Sequence, residues 1–159
     1  MQYILAHDLG TSSNKTVLTT ERGEIVAATQ VPYPLISPRP EIAEQDPEHW
    51  WEAVARASRD VIAQAGVAPE DVAAVCFAGQ MQCTLPVDRD GQPLMNAMIW
   101  LDSRAQRQSR EITRGWPKIE GYGALRLWRW IRLTNGVPTL SGKDPVAKML
   151  WLREQRPEL

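Results

Sequence analysis

Residues 6–18, AHDLGTSSNKTVL, contain an apolar run that ends at Asp8, a turn through Gly-Thr-Ser-Ser, and a second apolar run that follows Lys15. Short apolar runs joined by a small polar turn are typical of a β-hairpin. The same turn also has the composition of a phosphate-binding loop, because consecutive backbone N–H groups, hydroxyls and a lysine can all face phosphate oxygens. The stretch therefore fits two interpretations, a structural hairpin and an anion-binding loop.

In the second interpretation each residue of the turn has a chemical role. Gly10 lets the backbone turn tightly. The hydroxyls and amides of Thr11, Ser12 and Ser13 can point at phosphate oxygens. Asp8 stands where a carboxylate would hold Mg²⁺, which prefers hard oxygen ligands and keeps several waters. Composition alone does not separate this loop from an ordinary hairpin tip, because Gly, Thr and Ser are common in turns.

The segments around this turn predict the start of a sheet. Three apolar runs, 2–7, 15–20 and 25–31, are separated by turn residues and indicate an antiparallel meander. The following stretch, 32–47, is rich in proline and is therefore expected to be an extended crossing segment.

A helix and a buried strand are predicted next. Asp46 followed by Pro47 is a helix start signal, apolar residues then recur at helical spacing, and the helix is expected to stop near Gly66. Residues 71–79, DVAAVCFAG, form a nearly continuous apolar run, which is typical of a strand that is covered on both faces of a sheet.

The remainder predicts a hairpin and helices. Residues 83–100 fit two strands joined at an Asp90-Gly91 turn, with prolines that favour edge positions. Helices are expected over 103–113, over 124–133 and after Asp144. This order indicates an α/β chain with a mixed sheet, in which ligands gather at the carboxyl ends of the strands.

Three of the predicted strands end in polar residues. The first ends at Asp8, the apolar run ends in residues 79–82, GQMQ, and the later run ends in residues 100–104, WLDSR. If these ends lie side by side, one crevice receives a carboxylate, two amides, and a second carboxylate beside an arginine.

Composition restricts the class of partner and the compartment. Lys and Arg number 18 against 19 Asp and Glu, so the net charge of −1 does not favour nucleic acid or an anionic membrane. The apolar stretches are far shorter than the ~20 residues of a membrane helix. Cys76 and Cys83 match no zinc spacing, and the chain opens without a signal-peptide pattern, which favours a reducing, cytoplasmic location.

Several motifs together resemble the amino-terminal part of the FGGY carbohydrate kinases, the group that includes xylulose, glycerol, ribulose and gluconate kinases. The motifs occur in the family's order and are DLGTSSNK (8–15), EQDPEHWW (44–51), GQMQ (79–82), IWLDSR (99–104) and SGKDPVAKMLWLREQRPE (141–158). The resemblance covers essentially all 159 residues. It implies an actin-like, ribonuclease-H-like α/β fold, in which two domains close over a cleft that holds ATP, Mg²⁺ and the sugar.

The resemblance also implies roles for individual residues. Asp8 would be a catalytic residue and metal ligand that supports Mg²⁺ and the transferring phosphoryl group. The residues that would contact ATP phosphates are Gly10, Thr11, Ser12, Ser13 and Lys15. The residues that would contact the sugar are Gln80, Met81, Gln82 and, more weakly, Asp102.

The chain departs from the family pattern at two motif positions. Lys15 stands where the family often has arginine, so the positive charge is kept and the bidentate geometry is lost. Xylulose kinases usually have Gln-Met-His and glycerol kinases Gln-Arg-Glu where this chain has residues 80–82, Gln-Met-Gln. The identity of the sugar therefore stays open.

The family's general base and adenine pocket lie beyond the part of the kinase that these 159 residues resemble. Residues 1–159 would thus be the amino-terminal portion of the first kinase domain, and alone we expect them to be inactive, because phosphoryl transfer depends on a complete set of positioned groups. The expected partners are a sugar or polyol and the missing carboxyl-terminal part, with a homodimer left open.

Two other functions stay open. One is a non-catalytic module that binds phosphate or a partner chain and exposes an apolar surface. The other is a nuclease on the same ribonuclease-H-like scaffold, which needs two metals and converging carboxylates; Asp8 and Asp102 are the acidic residues at plausible strand ends.

Overall fold

The computed structural model describes residues 2–159, which form two compact units. Among the described residues, the first unit comprises 2–35 and 45–80, and the second comprises 36–44 and 81–159. The first unit contains β1 Tyr3–Leu9, β2 Ser13–Thr20, β3 Ile25–Pro32, α1 Pro47–Ala65 and β5 Val72–Gly79. The second contains β6 Ala97–Met98, α2 Gln106–Thr113, β7 Lys118–Ile119, β8 Tyr122–Gly123, α3 Ala124–Thr134 and α4 Pro145–Gln155. The two-residue strand β4, Glu44–Gln45, has its first residue in the second unit and its second residue in the first.

The sheet of the first unit is mixed and begins with the predicted meander. Its strand order is β3-β2-β1-β5, with antiparallel pairing among β1, β2 and β3 and parallel pairing between β1 and β5. Asp8 at the end of β1 stands opposite Lys15 on β2 and Ala78 on β5. The predicted fold class is therefore confirmed, and the carboxyl ends of two parallel strands meet at one edge of the sheet.

Helix α1 begins and ends where the sequence predicts. The side chain of Asp46 accepts a hydrogen bond from the backbone N–H of Glu48 at 2.9 Å, and Pro47 occupies the first turn. Gly66 ends the helix in the left-handed conformation, with φ of 64°, which glycine adopts without strain. The buried side chains of the helix are Ala53, Val54, Ala57 and Val61.

These helix residues build the core of the first unit against the meander. Val61 packs in a cluster with Leu5, Leu18 and Ala27. Burying such side chains stabilises the unit, at roughly 25 cal/mol per Å² of apolar surface removed from water. The helix thereby fixes β1 and β2, and with them the turn that connects them.

The prediction that the apolar run 71–79 is covered on both faces is wrong for this chain. The strand forms, as β5, but it lies at the edge of the sheet and the residues from 73 to 79 are exposed. Val75 is 52% exposed and Phe77 58%. Within residues 2–159, no further strand pairs with its outer edge.

The predicted hairpin over residues 83–100 forms only in part. Its turn is present, with Gly91 at φ 80° and the side chain of Asp88 accepting from the N–H groups of Asp90 and Gln92 at 2.9 and 2.8 Å. The flanking segments make only isolated bridges, apart from the two-residue strand β6. Prolines at positions 86 and 93 lack the N–H groups that a continuous ladder requires.

The rest of the second unit is helical as predicted, with one short hairpin that no pattern in the sequence indicates. Strands β7 and β8 are joined through Glu120 and Gly121, whose φ angles of 53° and 88° fit the two-residue turns that favour Asn-Gly or Asp-Gly. The first turn position holds glutamate instead of Asn or Asp, so the sequence does not indicate this turn. Among residues 2–159, no helix is long and apolar enough to span a membrane.

His7 lies in the interior of the first unit and is 3% exposed. Its Nδ1 atom is 3.1 Å from the Asn14 amide nitrogen and 2.9 Å from the Thr16 hydroxyl, and its Nε2 atom is 3.3 Å from the Ser58 hydroxyl. Because the Asn14 amide also donates to Ala53 O at 3.3 Å, its NH₂ group faces the histidine. These partners assign the neutral tautomer with the proton on Nε2.

Acidification is therefore expected to destabilise the first unit. Burial lowers the pKa of His7 below its ordinary value of 6.5. Between that lowered pKa and about 6.5 the unfolded chain binds more protons than the folded one, so the unfolding free energy falls as the pH falls through this window. Urea titrations at pH 7.5 and 5.5, followed by tryptophan fluorescence, measure the effect. His7→Gln is expected to have a smaller pH dependence, and equal dependence in both proteins would contradict the assignment.

Candidate active site

Asp8 and Lys15 face each other where β1 and β2 enter their connecting turn. The Lys15 ammonium is 3.6 Å from the Asp8 carboxylate, and the two side chains are 62% and 52% exposed. An exposed ion pair of this kind contributes only about 0–1 kcal/mol to stability. The carboxylate and the ammonium are thus accessible to ligands, and the ion pair between them is weak.

The turn itself is closed by a backbone hydrogen bond from Gly10 N to Ser13 O, at 3.1 Å. Gly10 is not among the residues with positive φ, and a Cβ atom there would lie 3.5 Å from Ser13 O, an ordinary contact. The turn conformation therefore does not require glycine, contrary to the sequence-based expectation.

Three successive carbonyl oxygens of the turn are bonded within the first unit. The Gly10 carbonyl accepts from the Tyr33 hydroxyl at 2.5 Å, the Thr11 carbonyl from Gln45 Nε2 at 2.7 Å, and the Ser12 carbonyl from Tyr33 N at 3.2 Å. Carbonyl oxygens that faced an anion would repel it, whereas backbone N–H groups attract it. This arrangement suits the turn to bind a phosphate.

The three hydroxyl-bearing residues of the turn differ in accessibility. Ser13 is only 4% exposed, and its hydroxyl accepts a hydrogen bond from Gln30 Nε2 at 2.8 Å. Ser12 is exposed and Thr11 is half-buried. Ser12 therefore presents the most accessible hydroxyl of the turn, and Ser13 serves at least to fix the start of β2 against β3.

Gln80 lies at the same end of the sheet. Its backbone N–H donates to Leu9 O at 3.0 Å, and its side-chain amide donates to Gln45 Oε1 at 2.7 Å. Gln45 is 1% exposed, also accepts from Trp50 Nε1 at 3.2 Å, and donates to the Thr11 carbonyl. Gln45 thus connects the turn, the end of β5 and the start of α1.

Gln45 and Tyr33 are site residues that no residue pattern in the sequence had indicated. Gln45 stands immediately before the helix start signal at Asp46 and lies within the quoted motif 44–51, which was the available signal. Tyr33 lies in the proline-rich segment, where no local pattern indicates its contacts.

Met81 and Gln82 belong to the second unit, as does Asp102. Met81 is 80% exposed, and Gln82 is exposed with a left-handed φ of 61°. The carbonyl of Gln82 accepts a hydrogen bond from the Lys148 ammonium at 2.8 Å. The exposed pair Met81–Gln82, which we call the 81–82 loop, is available to a ligand, and its backbone is anchored from α4.

Asp102 is predicted as a polar strand end whose carboxylate faces a ligand crevice beside an arginine, and in the structure it is 0% exposed. One of its oxygens accepts from Ala43 N at 3.0 Å, and Arg104 Nε lies 3.2 and 3.0 Å from the two oxygens. Arg104 also binds Glu44 at 2.7 Å. In this structure the carboxylate of Asp102 is engaged with the protein rather than open to a ligand.

The residues at the β1–β2 turn fit a magnesium ion that arrives with a nucleotide. Within residues 2–159, no group of three or more His, Cys, Asp and Glu side chains is placed to hold a metal ion. Mg²⁺ is commonly bound through one or two carboxylates together with phosphates and waters, rather than in an all-protein cage. The single accessible carboxylate of Asp8 beside the turn matches that pattern.

Comparison with known proteins identifies the class of protein to which this fold and this turn belong. The structure has the actin-like ATPase fold of sugar kinases, and it matches a ligand-bound xylulose kinase from Lactobacillus acidophilus with a TM-score of 0.82 and 25% identity, over 99% of this chain and 29% of that one. A gluconate kinase from the same organism matches equally, with a TM-score of 0.82.

The chain belongs to the FGGY family of carbohydrate kinases, whose N-terminal domain matches residues 3–159. A xylulose kinase of Bacillus subtilis (strain 168) is 33% identical over 159 residues, which is 100% of this chain and 30% of the relative. A glycerol kinase of Paracidovorax citrulli is 34% identical over 160 residues, which is 99% of this chain and 29% of the relative. The chain thus spans about 30% of the length of the curated relatives that it matches.

Proposed function

We propose that this chain is the amino-terminal part of an ATP-dependent sugar or polyol kinase, most like a xylulose kinase, which transfers the γ-phosphoryl group of ATP to a sugar hydroxyl. The observation that carries the proposal is the turn between β1 and β2. Its three carbonyl oxygens are bonded within the protein, and an accessible carboxylate and ammonium, Asp8 and Lys15, lie beside it.

The phosphate side of the proposed site uses residues of the first unit. The residues that contact ATP phosphates are Gly10, Thr11, Ser12, Ser13 and Lys15, among which Ser12 and Lys15 are exposed. Asp8 holds the Mg²⁺ ion of the nucleotide, and that ion neutralises charge on the phosphates when bound. Gln45 and Tyr33 keep the turn in its conformation.

The sugar side uses Gln80, Met81 and Gln82. An amide donates and accepts hydrogen bonds, so Gln80 and Gln82 each suit a hydroxyl of a polyol or sugar. Asp102 supports the structure of the sugar side and does not contact the sugar directly, because its carboxylate is buried and bonded to Arg104 and Ala43. Gln80 and Met81 match the Gln-Met-His pattern of xylulose kinases. Gln82 matches neither that pattern nor the Gln-Arg-Glu pattern of glycerol kinases, so an assay over several sugars is needed to identify the substrate.

The remainder of the first kinase domain and the second domain supply the general base and the adenine pocket. Two findings support this division of the kinase. The chain spans about 30% of the length of its relatives, and the apolar strand β5 is exposed at the sheet edge, where further segments packed on its faces would cover it. Both cysteines are free thiols, which is consistent with a cytoplasmic kinase.

The proposal predicts that the 159-residue chain alone has no sugar-dependent ATP turnover. Joined to the remaining carboxyl-terminal portion of the Bacillus subtilis xylulose kinase, the chain is expected to turn over, because the missing base and adenine pocket are then supplied. Coupled assays of ADP release over pentuloses, glycerol and gluconate measure both proteins.

Binding of Mg·ATP by the isolated chain provides a second measurement that does not depend on the chimera. NMR titration is expected to shift backbone signals of residues 8–15 and to leave those of the turn at residues 88–92 unchanged. Robust turnover by the isolated chain would contradict the division of the kinase. A folded chimera without turnover, together with an isolated chain that binds no ATP, would favour the non-catalytic partner-binding module.

A further inference from the structure

Lys148 is a lysine of α4 whose side chain is completely buried, with 0% exposure. Burying an ammonium group is unfavourable unless it is hydrogen-bonded and compensated by opposite charge. Burial lowers the pKa of Lys148, while the carboxylates of Asp102 and Asp144 act in the opposite direction. A methionine of similar volume would fill the space without this cost, so the contacts of the ammonium need an explanation.

The ammonium group bonds backbone carbonyls from two segments of the second unit. Lys148 Nζ donates to Gln82 O at 2.8 Å, to Ile99 O at 2.7 Å and to Met98 O at 3.4 Å. An ammonium has three donors, and three carbonyls receive them. The side chain thus connects the 81–82 loop to the end of β6 and the residue that follows it.

The three carbonyls do not depend on Lys148 equally. Met98 O also accepts from Thr84 N at 2.9 Å, and Ile99 O from Asp102 N at 3.0 Å. These two carbonyls therefore keep a partner when the ammonium is removed. Loss of the contact with Gln82 O, in contrast, leaves the 81–82 loop without its hydrogen bond to α4.

Gln82 adopts an unfavourable backbone conformation, which such an anchor stabilises. Its φ of 61° lies in the left-handed region, which is unfavourable for an L-residue other than glycine because the Cβ atom crowds the following carbonyl oxygen. Met81 beside it is 80% exposed, so little packing holds the loop from the other side. A hydrogen bond from a charged donor to Gln82 O stabilises the conformation.

We propose that Lys148 is a positioning residue for sugar binding, which holds the 81–82 loop in its left-handed conformation through the carbonyl of Gln82. The inference rests on the proposed function for the identity of the ligand. The anchoring itself is a property of the folded chain and is tested without catalysis.

Two substitutions and one control separate anchoring from packing. Lys148→Met keeps the apolar stem and removes the charge and the donors. Lys148→Arg keeps a positive charge and hydrogen-bond donors at the same position. Lys118→Met removes an exposed lysine of the same unit and serves as the control. Hydrogen exchange of the isolated chain, followed by mass spectrometry, is measured for peptides that cover residues 81–84 and α1.

Lys148→Met is expected to raise exchange over residues 81–84 by about tenfold and to leave α1 unchanged, because the loop opens without unfolding of the first unit. Lys148→Arg is expected to reverse most of that increase, and Lys118→Met to match the wild type. In the chimera with turnover, Lys148→Met is expected to raise the sugar KM by about tenfold, with the KM for ATP unchanged.

The outcomes distinguish this inference from the proposed function. Wild-type exchange over residues 81–84 in a folded Lys148→Met protein would overturn the anchoring. Global unfolding of Lys148→Met, with no restoration of loop protection in Lys148→Arg, would make Lys148 a core residue only and would equally overturn it. A specific rise in exchange in the isolated Lys148→Met chain, with no sugar turnover by a folded wild-type chimera and no ATP binding by the isolated wild-type chain, supports the anchoring and contradicts the proposed function.

Discussion

Replacing Asp102 with alanine is expected to lower the unfolding free energy of the second unit by about 3–5 kcal/mol, the usual cost of removing one partner from a buried ion pair. Asp102 is 0% exposed, and the Arg104 side chain that it binds is only 13% exposed. Without the carboxylate, this guanidinium keeps only Glu44 as a negative partner among its described ion pairs.

The loss extends to the backbone of the crossing segment. Asp102 accepts from Ala43 N at 3.0 Å, and the neighbouring strand end is further joined by Ile99 N to Ala43 O at 3.1 Å and Ser103 N to Glu41 O at 3.0 Å. An orphaned buried N–H adds its own desolvation penalty. The effect of Asp102→Ala therefore includes both a charge and a hydrogen bond.

Urea unfolding followed by circular dichroism measures this prediction, with Asp90→Ala in the exposed 88–92 turn as the matched control. The control is expected to stay within about 0.5 kcal/mol of the wild type. Asp102→Asn keeps an acceptor for Ala43 N and loses the charge, so its cost should be intermediate. A fully stable Asp102→Ala protein that fails to bind sugar would instead support the direct sugar contact that the motif implied.

The local features of this fold were predictable because their signals are local. The meander follows from three apolar runs and their turn residues, and α1 follows from Asp46, Pro47 and Gly66 at its ends. The exposure of β5 was not predictable, because an apolar run indicates a strand that is suited to burial and does not indicate which segments pack against it.

The candidate site divides in the same way. Asp8 and the turn after it stand out in the sequence as polar residues that follow an apolar strand. The hydrogen bonds that orient the turn join residues far apart in the chain: Gln45 lies 34 positions after Thr11, and Tyr33 lies 23 after Gly10. The periodicity of a sequence does not indicate contacts between residues so far apart. The burial of Asp102 was unpredictable for the same reason, because its partner Ala43 is 59 positions away.

Replacing Asp8 with asparagine is expected to abolish the magnesium-dependent part of ATP binding by the isolated chain and to lower kcat of the chimera by about 10²–10³-fold, the size of effect seen when one electrostatic contact to a transition state is removed. Asparagine is nearly isosteric with aspartate and lacks the negative charge that attracts Mg²⁺. Because the Asp8–Lys15 pair is exposed, the unfolding free energy should change by less than about 1 kcal/mol.

Titrations of ATP with and without Mg²⁺ distinguish the role of Asp8 from that of Lys15. Asp8→Asn should bind ATP equally in both conditions, since the metal no longer adds affinity, whereas Lys15→Met should weaken binding in both, since its charge acts on phosphate directly. Glu21→Gln, an exposed carboxylate in the turn after β2 at the opposite end of the sheet, serves as the control and should behave as the wild type. Retention of full magnesium dependence by a folded Asp8→Asn protein would contradict the proposed role of Asp8 as a metal ligand.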